Sequence, residues 1–218
     1  MFEVMHYRKI RTPVGLSNVA AHNMRHEIMD EDGNEIPNPQ LDEKWYDPTF
    51  LKHNKIDSDI KNPNQILKKR KDRIEAAKLT RKPQKNAAAA IEGVFSASPD
   101  FAKNWKDNDQ DRKTWEEYLD KAREWVGKEF GEENILHSAI HMDEKTPHLH
   151  VLMTPIIQKE NGKNSYLSGE FLRGPSGMKI LHTDFHKEVG KEYGLERGVE
   201  GKRQPHSWLK GLWNKEKE

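Results

Sequence analysis

The chain has 218 residues, with 37 basic side chains against 36 acidic ones, 11 histidines and no cysteine. Its length suits one domain, and the even charge balance argues against charge-driven disorder and against a uniformly basic surface. Without cysteine, disulfides and thiolate metal sites are excluded, so any metal must be held by imidazole, carboxylate or carbonyl groups. No run approaches about 18 consecutive apolar residues, and the first residues, MFEVMHYRKIRT, lack the features of a secretory signal. A cytoplasmic protein is expected.

Residues 2–11 alternate, with Phe2, Val4, His6 and Ile10 set against Glu3, Met5, Tyr7 and Lys9, which predicts a strand. Thr12-Pro13-Val14-Gly15 reads as a break, and Ser17 is placed to cap a short helix to about Glu27, carrying His22, Arg25 and His26. From residue 30 to 62 the pattern is poor: Pro37, Pro39 and Pro48 mark loops, with Trp45, Tyr46 and Phe50 as local anchors. A basic helix over about 63–80 is stopped by Pro83. Residues 86–97 fit either element by periodicity, and Gly93 among Ile91, Val94 and Phe95 favours a buried strand. Over 111–130, Trp115, Tyr118, Leu119, Ala122, Trp125 and Val126 recur at helical spacing, and Gly131 closes that helix. Residues 134–141 and 148–156 alternate on either side of a short polar segment and predict a β-hairpin. A second hairpin is expected around Asn161-Gly162. A last helix over about 176–193 sets Leu181, Phe185, Val189 and Tyr193 four apart, and Gly194 ends it. A basic tail from Leu195 holds Lys202, Arg203, Trp208, Lys210 and Trp213.

The informative stretch is His141-Met142-Asp143-Glu144-Lys145-Thr146-Pro147-His148-Leu149-His150. On a strand, residues two apart share a face, so His148 and His150 point the same way, and the hairpin folds His141 back opposite them. Three imidazoles around one turn can converge on one ion and leave positions open, as a catalytic rather than a structural metal requires. A single strand histidine is more often a hydrogen-bonded or surface residue, but three at this spacing are harder to explain that way. Glu144 lies on the turn, within reach as a fourth ligand, an orienting group or an acid/base. No H-E-x-x-H is present, so a zincin protease is excluded.

His141 to His150 resembles the third motif of MobV-type relaxases, the plasmid mobilisation/recombination (Mob/Pre) family. These belong to the wider HUH endonucleases, whose H-hydrophobe-H is matched by His148-Leu149-His150. Ala21-His22-Asn23-Met24-Arg25 is similar to the family's first motif, and the agreement extends to residues 92–101 and to Leu195-Glu196-Arg197-Gly198. Between residues 30 and 64 the chain departs from the family, placing Trp45-Tyr46 where an Asn-Tyr segment is usual.

The resemblance implies an α+β fold, a central antiparallel sheet of about five strands flanked by helices. Residues 1–218 would form a single HUH nuclease domain, with 195–218 a basic tail or the start of a linker. It further implies strand- and site-specific nicking of origin-of-transfer DNA, single-stranded or hairpin, in a bacterial cytoplasm. The ion would be Mn or Mg, held by His141, His148 and His150. MobV-type enzymes resemble a histidine-nucleophile class. With no tyrosine between the first strand and residue 45, the resemblance implies His22, at that motif position, as the nucleophile giving a 5′-phosphoramidate, with His26, one turn away, as its rival. Glu144 would accept the other ring proton of His22, and Arg25 would hold a phosphate oxygen or orient a carboxylate.

Lys68, Lys69, Arg70, Lys71 and Arg73, and then Arg81, Lys82 and Lys85, are the densest basic runs. They suit a phosphate backbone, or equally a solvated face balanced by acids elsewhere. Trp208 and Trp213 offer either base stacking or packing against the domain. Alternatives that share the motif are an HUH replication initiator and a DNA-binding HUH domain that does not cut. A metal-dependent hydrolase of another fold also remains open.

Overall fold

The computed structural model describes residues 1–25, 28–29, 35–36, 46–57 and 59–198. Strand β1 (Glu3–Ile10) leads directly into α1 (Pro13–Met24). The apparent break at Thr12-Pro13 is the start of the helix: Thr12 Oγ1 accepts the Gly15 amide at 3.0 Å, and Pro13 occupies a first-turn position where a missing N–H leaves no bond unmade. Ser17 is therefore inside the helix rather than its cap. The helix also stops short of Glu27, because Arg25 turns left-handed (φ 56°) and its amide bonds back to the His22 carbonyl. His26 and Trp45 lie outside the described residues.

Three two-residue strands, β2 (Ile28–Met29), β3 (Glu35–Ile36) and β4 (Lys55–Ile56), occupy the stretch expected to be loop. There follow α2 (Gln65–Ala76), β5 (Ala90–Ala97), α3 (Asp109–Phe130), β6 (Ile135–His141) and β7 (His148–Met153). The second hairpin is β8 (Ile156–Gln158) with β9 (Asn164–Tyr166), succeeded by α4 (Ser168–Phe171) and α5 (Gly177–Glu188). A 3₁₀ turn over Gly190–Tyr193 completes the stretch predicted as one helix. Among the described residues, no helix is long and apolar enough to cross a membrane.

The central sheet has the order β1-β5-β7-β6-β4, with every pair antiparallel, so the expected α+β class and five-stranded sheet are both present. Register decides which residues can meet. Arg8 stands opposite Glu92, Val94 opposite His150, Ala139 opposite His150, and His141 opposite His148. Because alternate residues share a face, Arg8, Glu92, His141, His148 and His150 all project from the same side of the sheet.

The opposite side carries the larger core. Phe95, Leu149, Val151 and Met153 pack against Trp115, Tyr118, Leu119 and Trp125 of α3 and Leu181 and Phe185 of α5. Burying each such large side chain contributes about 1.5–3 kcal/mol. Gly93 permits this packing, since a Cβ there would come within 2.9 Å of the Phe95 ring and 3.1 Å of the Tyr7 ring. On the histidine side, Leu16, Ala20 and Met24 of α1, four residues apart, join Ile66, Ala90, Leu136 and Leu152 in a smaller core. That core fixes the last turn of α1, with His22, above the sheet.

The chain stays docked beyond the last helix. Leu195 is buried, and Glu196 bridges in parallel to Phe2: the Glu3 amide donates to the Glu196 carbonyl at 3.2 Å and the Glu196 amide donates to the Met1 carbonyl at 2.7 Å. Leu195 and Glu196, expected to open a basic tail, are thus docked on the domain. The tail's Lys202, Arg203, Trp208, Lys210 and Trp213 lie outside the described residues.

Candidate active site

The β6–β7 turn is clamped from three directions. Ser96 Oγ of β5 donates to the Pro147 carbonyl at 2.7 Å, the Asp47 amide donates to the Asp143 carbonyl at 2.6 Å, and the Met142 amide donates to Asn54 Oδ1 at 2.7 Å. Tyr46 forms an isolated antiparallel bridge with Glu144. The segment least legible in the sequence therefore forms one wall of the site.

Each motif histidine has one nitrogen committed to an acceptor. His141 Nε2 donates to the Asn23 carbonyl at 2.9 Å, His148 Nδ1 to the Thr146 carbonyl at 2.8 Å, and His150 Nδ1 to Glu92 Oε1 at 2.8 Å. Since carbonyl and carboxylate oxygens only accept, these bonds fix the neutral tautomers and turn the other nitrogen's lone pair towards the cluster. Among the described residues nothing hydrogen-bonds the buried Nδ1 of His141 or Nε2 of His150. Leaving such atoms unpaired is costly unless an ion takes them up.

The ring centroids of His141, His148 and His150 lie 5.3, 5.1 and 4.7 Å apart. Imidazoles bound at about 2.1 Å with angles of about 90–109° would place their centroids roughly 4.5–5.2 Å apart. The residues present therefore fit a divalent ion. Among the described residues, the side chains whose donor atoms already fall within 4.8 Å of one another form two overlapping groups, His22–His141–His150 and His141–Glu144–His148. His148 and His150 sit in different groups, and His141 joins them.

Burial, reinforced by neighbouring imidazoles and Arg25, holds His22 and His141 well below the ordinary histidine pKa; His148 is likewise lowered, with burial the largest cause. Neutral imidazole is the form that ligates a metal or attacks phosphorus. Glu92 is 1% exposed, and burial alone would raise its pKa. The hydrogen bond from His150 and the guanidinium of Arg8, whose Nε donates to Oε2, instead hold it at about 2. Arg8, Glu92 and His150 thus form a chain running from the edge strand to the cluster.

Arg25 carries the second chain. Its Nε and Nη2 each reach the Asp143 carboxylate at 2.9 Å, and Nη2 also donates to Glu144 Oε1 at 2.6 Å. Asp143 is fully buried, and this bidentate pair holds a non-glycine residue in the left-handed region. Of the two roles open to Arg25, the geometry favours orienting carboxylates. Glu144 Oε1 lies 3.7 Å from His22 Nε2, 3.6 Å from His141 Nδ1 and 3.8 Å from His148 Nε2. Burial disfavours its charge, yet its carboxyl is held well below the usual carboxylate range, with the permanently charged Arg25 guanidinium bonded to it. His22, with its ring centroid 5.6 Å from His141 and 5.8 Å from His150, faces the cluster. The His22 and Glu144 side chains, 14% and 17% exposed, open the otherwise buried cluster to solvent.

The structure therefore gathers His22, Arg25, His141, Glu144, His148 and His150 at one place, as the motifs suggested. Sequence reasoning missed the parts played by Glu92 and Asp143. Asp143 lay inside the motif, and an acid beside a buried arginine was the available signal. Glu92 is 58 residues from His150 and gave no local sign.

The two basic runs have different fates. On α2, Arg70 donates to the Ala89 carbonyl and to Tyr166 Oη, and Arg73 donates to Asn134 Oδ1, so both dock the helix. Lys68 pairs with Asp72, Lys69 with Asp59 and Lys71 with Glu75. Arg81, Lys82 and Lys85 are exposed in the following loop and form no ion pair with the described residues.

Comparison with known proteins places this geometry in context. Residues 1–210 match the profile of a family described as plasmid recombination enzyme, Mob_Pre. Plasmid recombination enzyme type 3 of Staphylococcus aureus is 26% identical over 198 residues, 90% of this chain and 43% of that protein. A plasmid recombination enzyme of Bacillus thuringiensis is 30% identical over 130 residues, 59% of this chain and 27% of that protein. The chain spans less than half the length of these relatives. Among solved structures, the manganese-bound MobM relaxase domain in complex with plasmid pMV158 oriT DNA superposes with a TM-score of 0.69 at 22% identity, covering 97% of this chain and 100% of that one. That likeness establishes the fold.

Proposed function

The chain belongs to the Mob_Pre family of plasmid recombination enzymes, and from that premise we propose that it is a DNA relaxase. It cuts one strand of plasmid or mobile-element DNA at a defined position in an origin of transfer, by transesterification, and keeps the 5′-phosphoryl end on His22. We take residues 1–218 as one relaxase domain, acting on DNA in the bacterial cytoplasm. The observation that carries this reading is the partly accessible, neutral His22 ring, facing three imidazoles beside an ionised Glu144. The MobM domain, bound to oriT DNA and manganese, supports DNA as the substrate class and Mn or Mg as the ion.

His141, His148 and His150 would hold the ion. When bound, it supplies Lewis-acid charge against the phosphate oxygens, undiminished because all three ligands are neutral. His22 forms the new N–P bond with one ring nitrogen as the bond from phosphorus to the 3′-oxygen breaks. The proton on the other ring nitrogen leaves to a carboxylate, for which Glu144, 3.7 Å from Nε2, is placed, and the departing 3′-oxygen takes a proton from solvent. Arg25 keeps Glu144 ionised and aimed, while Asp143 keeps Arg25 in place. Glu92 locks the His150 ring, so its lone pair does not turn away from the centre.

The test is a nicking assay on supercoiled plasmid carrying the cognate origin with Mn²⁺, read together with recovery of a denaturant-stable protein–DNA complex. The parent protein and Tyr46→Phe should give both nicked circles and adduct. His22→Ala should give neither while still binding Mn²⁺, whereas His141→Ala should lose Mn²⁺ binding. An adduct that survives His22→Ala but not Tyr46→Phe refutes the assignment. A loss of Mn²⁺ affinity in His22→Ala as large as that in His141→Ala would make His22 a ligand instead.

A further inference from the structure

Residues 46–54, in the stretch where the chain departs from the family pattern, contribute no group to the proposed chemistry, yet they lie directly against the residues that do. The Asp47 amide donates to the Asp143 carbonyl at 2.6 Å, and Asn54 Oδ1 accepts the Met142 amide at 2.7 Å. These two staples fix the backbone at Asp143 and at the residue before it. Asp143 and Glu144 are the carboxylates that Arg25 grips, and Glu144 Oε1 is 3.7 Å from His22 Nε2. Where the 142–144 backbone sits therefore sets where the carboxylate beside His22 can lie.

The strap is itself held from its far side. Between the staples the chain winds into a 3₁₀ turn, Pro48–His53, capped by Asp47, whose Oδ1 accepts the Thr49 amide at 3.1 Å and the Thr49 hydroxyl at 2.6 Å. The other oxygen, Oδ2, accepts Lys106 Nζ at 2.9 Å. That ammonium also lies 5.0 Å from the centroid of the Phe50 ring and 5.4 Å from that of Trp105, and the two rings meet edge-on at 5.2 Å. Phe50 belongs to the strap, whereas Trp105 is buried in the larger core. Lys106 is tied in turn to the start of α3, where Arg112 Nη1 donates to the Trp105 and Lys106 carbonyls at 3.2 and 3.1 Å. One cation thus joins an acid and a ring of the strap to the helix that covers the opposite face of the sheet.

Stability does not explain this arrangement. The Lys106 and Asp47 side chains are 40% and 34% exposed, and ion pairs so placed contribute little to folding. Thr49 and Lys106 hold the Asp47 carboxyl down at about 2, so the pair is charged throughout the neutral range. Asp47 carries the buckle on its side chain and a staple on its main chain. A shift of Asp47 is therefore passed to Asp143 through a single hydrogen bond.

We propose that Lys106 is a positioning residue for the nicking reaction. It buckles the 46–54 strap to α3, and through the strap it holds Asp143 and Glu144 in register with Arg25 and His22. The proposal rests on the DNA-nicking reading above and adds to it a residue outside the histidine cluster.

Lys106→Met keeps the apolar stem and removes the charge, whereas Lys106→Arg keeps the charge and the ring contacts. With supercoiled plasmid carrying the cognate origin and saturating Mn²⁺, the single-turnover rate of adduct formation should fall about tenfold in Lys106→Met, since a misplacement of about 1 Å can cost about 10²-fold. Lys106→Arg should restore it to within about twofold of the parent, and both variants should keep Mn²⁺ and origin-DNA affinities within about twofold and the thermal unfolding midpoint unchanged. In a Glu144→Gln background, Lys106→Met should cost less than about twofold, because the group it positions is gone. A readout independent of activity is amide hydrogen exchange: the Asp47 and Met142 amides should exchange about tenfold faster in Lys106→Met, with those of β7 unchanged. An unaltered adduct rate in Lys106→Met, a rate loss matched by weaker origin binding, a full loss that persists in Glu144→Gln, or unchanged exchange at both amides each overturns the positioning role. A parent protein that forms no adduct overturns the nicking reading alone, and the exchange of the two amides then decides whether Lys106 fixes the strap.

Discussion

Replacing Glu92 by glutamine isolates the support of the candidate metal centre from its ligands. Glu92 is 1% exposed, accepts the Nδ1 proton of His150 at 2.8 Å, and is held from its far side by Arg8. Glutamine keeps the shape and one carbonyl acceptor, but it removes the negative charge and presents an amide donor to either His150 or Arg8. A carboxylate behind a ligating histidine raises the basicity of the metal-facing nitrogen and fixes the ring, and losing such a partner typically lowers metal affinity by about 10–100-fold. At about 1.4 kcal/mol per decade, that is roughly 1.4–2.8 kcal/mol. Glu92→Gln should therefore bind Mn²⁺ about 10–100 times more weakly by isothermal titration, and nicking at saturating Mn²⁺ should recover in part. Arg8→Gln, one step further out and partly exposed, should show the same effect more weakly. A Glu92→Gln protein that folds normally and binds Mn²⁺ within about twofold of the parent would refute the idea that this carboxylate sets the site.

Asp143→Asn should unlatch Arg25, whose side chain is 7% exposed and whose two bonds to Asp143 are each 2.9 Å. Breaking a buried pair costs about 3–5 kcal/mol, but Glu144 remains as a partner, so a loss of about 2–3 kcal/mol is expected in urea unfolding; a loss below about 0.5 kcal/mol would mean the clamp carries no weight. A pH effect should arise away from the site, at Glu3, whose fully buried side chain lies 3.2 Å from His186 Nδ1 and whose pKa burial raises to about 8 against the pull of Arg197. Since the unfolded carboxyl titrates near 4.5, the folded state retains a proton that the unfolded state releases between pH 4.5 and 8. The stability Glu3 contributes is thus present at low pH and lost as pH rises through that window. Glu3→Gln, neutral throughout, should gain on the parent by about 2 kcal/mol in denaturation midpoints compared at about pH 5 and about pH 9, and a pH-independent difference would contradict the buried-acid account.

Much of the site was legible because its signal is local. The alternation on either side of residues 142–147 fixes which side chains share a face, so His141, His148 and His150 were bound to meet once the hairpin formed. The periodicity of Trp115, Tyr118, Leu119 and Trp125 likewise placed the helix that covers the opposite face. Where sequence reasoning went astray, a second signal competed with the first. Thr12-Pro13 suits a break as well as a helix start, and only the Thr12–Gly15 bond shows which role it takes. The edge strand β4 is two residues long and too short to carry a period.

Residue types and local spacing determined the three-histidine turn, the neutral nitrogen chemistry of a chain without cysteine, and the alternating strands that build the sheet. Tertiary structure alone decided which distant charges meet. It set Glu92 behind His150 across β5 and β7, brought Arg25 onto Asp143 across 118 residues, and cancelled the α2 lysines while leaving the 78–85 loop unpaired. The physical reason is that periodicity is a property of neighbouring residues, whereas the fate of a charge depends on what the fold places within a few ångströms of it.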